Sequence, residues 1–128
     1  QLLEIPRNRD PKKTWKLFSK TRKEILYLLS EFQDCGLRVD DILAKQVSFL
    51  LASAEAWELP DNALLTSHIA HTLLLPRIHC QGNILIPVLE RVQDIDGLAP
   101  QLIRSLSKLQ SLALQNRHQI IHGLMTQI

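Results

Sequence analysis

The sequence predicts an all-α domain, an antiparallel bundle of four to six helices. Three observations lead there. The apolar set is dominated by Leu and Ile, with 25 Leu and 12 Ile against 4 Val and 6 aromatic residues. Sheets draw on Val, Thr and aromatics, whereas Leu, Gln, Lys, Glu and Ala favour helix. Glycine is scarce, at four residues, and the one hairpin-type dipeptide, Asp96-Gly97, lacks flanking alternating runs. Finally, apolar residues recur at helical spacing in segments that begin near 14, 40, 61, 83 and 98. That near-even spacing leaves a short helical-repeat array open as an alternative, although no residue-level repeat at a fixed period accompanies it.

Residues 1–13 carry Pro6 and Pro11 among basic residues and read as an extended lead-in to a single helical domain over 14–128. Thr14 is the expected N-cap of the first helix. Trp15, Phe18, Ile25, Leu29 and Phe32 give it one apolar seam, interrupted by Arg22, and Cys35-Gly36 stops it. Asp40 is the next N-cap candidate, followed by Leu43, Val47, Leu50, Ala54 and Trp57 at helical spacing up to Pro60. Asp61 or Asn62 caps a third helix, with Leu64, Leu65, His68, Ile69, Thr72 and Leu73 along one side, and Pro76 ends or kinks it. Gly82-Asn83 opens a short helix through Ile84, Leu85, Val88, Leu89 and Val92, with Pro87 in or beside the first turn. From Leu98 to about Gln127, Leu102, Leu106, Leu109, Ala113, Ile120 and Leu124 share a seam. This is one long helix or two that meet near Gln115-Asn116. The acidic pairs Asp40-Asp41 and Asp94/Asp96 fall where helix caps are expected.

With 128 residues, 45% hydrophobic and 22% charged, the chain can bury a core and is not of disordered composition. No apolar run approaches the roughly 18 residues that a membrane span needs. Two cysteines, Cys35 and Cys80, make no disulfide framework and no thiolate zinc site. One bridge is possible, but two well-separated thiols in sequence point to a reducing, intracellular compartment. A first residue that is not Met suggests a piece of a larger protein. Residues 1–23 hold eight Lys/Arg and two acids, so a basic segment precedes an acidic body. It reads as a solvated helix face or as a contact for phosphate or an acidic partner.

The run Asn116-Arg117-His118-Gln119-Ile120-Ile121-His122-Gly123 is the most specific feature. An Arg, a polar residue, three further residues and a His resemble the signature of the HEPN superfamily of helical domains, many of which are RNases or their inactive relatives. The likeness covers about the last 25 residues, and Leu124-Met125 stands where that family often has an aromatic. It implies metal-independent RNA cleavage without a cofactor, commonly in a composite cleft between two protomers. His122 would then transfer the proton, Arg117 clamp the phosphate, and His118 orient them. The chemistry suits the residue types, since imidazole exchanges protons near neutrality and guanidinium binds phosphate bidentately. Read from the residues alone, Arg117 is equally a seam residue with its head in water and His122 a surface histidine.

Other constellations carry less. His118 and His122 have i, i+4 spacing but no acidic partner, so no metal site is expected. His68, His71 and His79 surround Pro76, and Ala70-His71-Thr72-Leu73 is similar to the phosphoacceptor region of sensor histidine kinases. Leu74 and Leu75 depart from that pattern, and His71 is expected in the core or at its rim. No Gly-rich phosphate loop or nucleophile elbow is present. The expected partners are thus RNA, or a protein partner in a homodimer or larger assembly, with no membrane. The competing function is a non-catalytic helical protein–protein interaction module.

Overall fold

The computed structural model describes residues 17–123. They form a helical bundle: α1 (Ser19–Phe32), α2 (Asp41–Ala56), α3 (Ala63–Ile69), α4 (Gly82–Gln93) and α5 (Pro100–Gln115). A 3₁₀ turn, Gln33–Cys35, follows α1. A π turn, Ala70–Leu74, and a 3₁₀ turn, Leu75–Arg77, extend α3. Two three-residue strands, β1 (His79–Gln81) and β2 (Ile120–His122), pair antiparallel. The 1–13 lead-in, the Thr14 cap, Trp15 and Leu124 lie outside the described residues. No helix of the described residues is long and apolar enough to cross a membrane.

The seam of α1 is as expected, with Phe18, Ile25, Leu29 and Phe32 buried and Arg22 on the outside. After the 3₁₀ turn, Gly36 takes a φ of +85°. A Cβ there would also strike the carbonyl of His79, so glycine lets the corner close against β1. Asp40 caps α2 by accepting from the Leu43 N–H at 2.8 Å. Leu43, Val47, Leu51 and Ala54 face the core, but Trp57 has left it: it sits at the C-cap and is 55% exposed.

Both residues of the Asp61-Asn62 pair act as caps, on different helices. Asn62 accepts from the N–H groups of Leu64 and Leu65 and caps α3. The Asp61 carboxylate reaches back 40 residues to the first turn of α1. It accepts from the Lys20 N–H at 2.9 Å, the Thr21 N–H at 2.8 Å and the Thr21 hydroxyl at 2.7 Å. The residue at the head of α1, Phe18, has no side chain able to do this.

The π turn alters which residues of the third segment are inside. The Leu75 N–H bonds to the Ala70 carbonyl, five residues back, which advances the helix phase. Leu74, Leu75 and Ile78 are therefore all buried, while Thr72, expected on the inner side, is exposed. His68, ahead of the π turn and likewise expected inside, is exposed on the outer side of α3 itself. Pro76 sits inside the 3₁₀ turn, and the segment becomes extended at Ile78.

The most extensive helix pair is α4 with α5, folded back through a turn in which Gly97 has a φ of +87°. Pro87 is the sixth residue of α4, beyond the expected first turn. It is exposed, so the hydrogen bond it lacks faces water. Leu85, Leu89 and Val92 meet Leu102, Leu106, Leu109 and Ala113, all buried. Pro100 opens α5 from Ala99, which makes no side-chain cap, and Asp94 lies at the C-cap of α4, so the Asp94/Asp96 pair does not serve the start of α5. The helix ends at Gln115 and does not resume by residue 123: Ile120, expected on the seam, is exposed on β2, and Ile121 is buried in its place.

Burial opposes the charge on Asp61, but the hydrogen bonds from Thr21 and Lys20 outweigh it and hold its carboxyl below the ordinary 3.8. Its contribution to stability is complete above that value and is lost as the pH falls below it through the folded-state value. Asp61→Asn should lower stability at neutral pH by about 1 kcal/mol, as loss of a good cap does, and should flatten the acid limb of the profile. Urea denaturation at pH 7 and pH 3.5 measures both.

Candidate functional site

The three residues of the Arg-polar-x3-His motif fall just beyond α5, off the helix. Asn116–Gln119 form a turn, and His122 ends β2. Positions five apart on a helix lie about 140° apart, and Arg117 and His122, placed on a turn and a strand, are not subject to that geometry. The i, i+4 relation of His118 and His122 loses its meaning for the same reason.

The turn is fixed by the start of α4. The Gly82 N–H donates to the Gln119 carbonyl at 3.1 Å, and the Asn83 N–H to the Arg117 carbonyl at 2.9 Å. These satisfy two of the amides that a helix start leaves unpaired. The fit depends on Gly82, where a Cβ would stand 2.6 Å from both the Ala113 and the Asn116 carbonyl oxygens. Arg117 and His118 are thereby presented to solvent on a braced loop.

The strand pair supplies a residue that the sequence did not mark as a site. His79 lies opposite His122, Cys80 opposite Ile121, and Gln81 opposite Ile120. The Gly123 N–H donates to the Ile78 carbonyl, and Gly82 to Gln119. By the alternation of an antiparallel ladder, His79 and His122 then form a non-hydrogen-bonded pair, the kind whose side chains approach most closely. Their ring centroids are 4.4 Å apart with planes tilted by 47°. Both are exposed, while Cys80 and Ile121 point into the core.

Charge adds to this. No Asp or Glu occurs between Asp61 and Glu90 or after Asp96. Those acid-free stretches hold Arg77, Arg104, Lys108, Arg117 and all five histidines. They meet through β1–β2 and through α4–α5. Asp34 lies in the 3₁₀ turn that packs against β1. The run of missing acids marks the stretch but not His79 within it, since His68 and His71 share it, and only the register singles His79 out.

Those two neighbours have other roles. His68 is exposed beside Leu59 and Leu65. His71 is half-buried in the π turn, with Nδ1 at 2.8 Å from the Ser67 carbonyl and Nε2 at 2.7 Å from the Ser105 hydroxyl. A carbonyl only accepts, so Nδ1 carries a proton, and in the neutral ring Nε2 accepts from the Ser105 hydroxyl. His71 is a tie between the π turn and α5, with both nitrogens engaged, which is a poor state for a phosphoacceptor.

The two cysteines, distant in sequence, are neighbours in the fold. Both thiols are buried, Cys80 on the inward side of β1 and Cys35 in the 3₁₀ turn packed against that strand. The interaction with Cys80, together with burial, pushes the Cys35 thiol up. The same interaction draws Cys80 down against the effect of burial. Among the described residues no group of three or more His, Cys, Asp or Glu is placed to hold a metal ion.

Two apolar grooves lie elsewhere. One of about 340 Å³ is lined by Phe49, Leu50 and Leu73 between α2 and the π turn. Another of about 200 Å³ is lined by Leu59, Pro60, Leu64 and Leu65. Comparison of the chain with protein-family models, curated proteins and solved structures yields no match.

Two variants test this geometry. Gly82→Ala should cost about 1–3 kcal/mol through overpacking against two carbonyls, seen as a lower thermal midpoint. His71→Ala should cost a similar amount, about 1–3 kcal/mol, by stranding polar groups of Ser67 and Ser105. In the same melting experiment His68→Ala should change little.

Proposed function

We propose that the chain binds and cleaves RNA at the edge formed by Arg117, His118, His122 and His79. One observation carries the reading: two exposed imidazoles face each other across β1–β2, next to the turn that holds Arg117, on acid-free segments. Cleavage by the RNA 2′-OH needs one group to remove its proton and another to protonate the departing 5′ oxygen. It leaves a 2′,3′-cyclic phosphate and a free 5′-OH. Two imidazoles, one neutral and one protonated, meet that need near neutral pH. Arg117 would hold the phosphate and balance its growing charge, and His118 would orient the bound strand. This agrees with the HEPN-like pattern of the motif and adds His79 to it. Proton donor and acceptor then come from one chain, and a dimer of the kind that family uses would bring a second set to the same cleft.

A second reading, a non-catalytic helical protein–protein interaction module, is favoured by the two apolar grooves and the exposed Trp57 near them. One experiment separates the two. End-labelled single-stranded RNA is incubated with the protein in excess EDTA, beside Arg117→Ala/His122→Ala and His79→Ala variants of matched thermal midpoint. Cyclic phosphate ends are expected from the parent protein, with losses on the order of 10²-fold or more in each variant. Absence of cleavage, or equal cleavage by all three proteins, would leave the interaction module as the better reading.

A further inference from the structure

We propose that His79 and His122 also form a two-imidazole site for a borderline divalent transition-metal ion, Cu²⁺ most tightly and Zn²⁺ after it. The site goes beyond the RNA reading and does not rest on it.

The geometry begins with the strand register. A non-hydrogen-bonded cross-strand pair holds its two Cα atoms about 4.5 Å apart and sends both side chains to the same face. That face is the exposed one, shared with Gln81 and Ile120. The backbone beneath is held on both sides, by the Gly123 bond to Ile78 and the Gly82 bond to Gln119. The two imidazoles are therefore brought together before any ion arrives.

Ring placement fits a shared ion. Imidazole nitrogens bind zinc at about 2.0–2.1 Å, which sets two rings around one ion with centroids roughly 5 Å apart. The rings stand at 4.4 Å, tilted rather than stacked face to face. Rotation of the two side chains covers the difference, with the strands left in place. Exposure keeps the remaining coordination positions open to water, and Gln81 stands two residues along on the same exposed strand face.

Ligand chemistry selects the ion. Imidazole suits copper, zinc and nickel, and the general order of affinity puts Cu²⁺ above Zn²⁺. Calcium and magnesium need oxygen ligands, and these strands hold no carboxylate. With two protein ligands the site exchanges its ion readily, unlike a closed four-ligand structural centre. An ion held by both imidazoles also occupies the nitrogen lone pairs that proton transfer would use. Metal binding and RNA cleavage at this edge therefore exclude each other.

The test is calorimetric titration of the full chain with Cu²⁺ and with Zn²⁺, without RNA, so that the result is independent of any cleavage. One ion per chain is expected. Loss of either histidine turns a chelate into a single ligand, so His79→Asn and His122→Asn should each weaken binding by about 10²-fold. His68→Asn should bind as the parent does. Copper should raise the thermal midpoint of the parent protein and not that of a His79→Asn/His122→Asn double variant, and the copper spectrum should show two nitrogen ligands. Comparing midpoints in EDTA separates lost binding from lost folding. No binding by the parent, equal binding by all variants, or sensitivity to one histidine alone would each overturn the proposal.

Discussion

Pairing of residues 79–81 with residues 120–122 is the constraint on which the functional end of the molecule depends. It stops α5 at Gln115, where the hydrophobic pattern would allow more helix. It delivers the Arg117 and Gln119 carbonyls to the first amides of α4, so that one helix's end becomes the other's cap. It turns Cys80 and Ile121 inward over Cys35 and leaves the two histidines outside. Helix termination, capping and the juxtaposition of His79 with His122 are thus one event, and Gly82 is the residue whose small size permits it.

What could be read in the sequence was whatever depends on near neighbours. The Asp40 cap, the Gly36 stop, the breaks at Pro76 and Gly97, the Pro100 start and the Leu102-Leu106-Leu109-Ala113 seam are each set within a turn or two of chain. The features that escaped depend on distant partners. Two strands of three residues are too short to show a period of two, and neither has meaning without the other. The π turn moves Leu74 and Leu75 inside by a single-residue shift that composition does not announce. Arg117, His118 and His122 were found by motif, whereas His79 needed the register. The thiols of Cys35 and Cys80 looked well separated because they are, except in space.

Two surfaces of different character result. The acid-free edge around β1–β2 presents imidazole and guanidinium groups to solvent. The grooves along α2 and α3 present almost only hydrocarbon, with His68 at the rim of the smaller. The chain's small positive net charge of +2 hides this division, since most acids sit on the elements that flank the grooves or end α4. His71 and Ser105 join the π turn to α5 between these regions and belong to neither.

Asp61 makes the first turn of α1 conditional on the corner that precedes α3. A helix capped by its own neighbour can order early and fray alone. One capped from 40 residues away cannot, because the acceptor is absent until the corner has docked. The Thr66 hydroxyl, which donates to Glu24 at 2.8 Å, joins the same two elements one helical turn further along. Opening the corner therefore exposes the Lys20 and Thr21 amides to solvent at the same moment, and the head of α1 exchanges its protons in one cooperative unit with residues far along the chain.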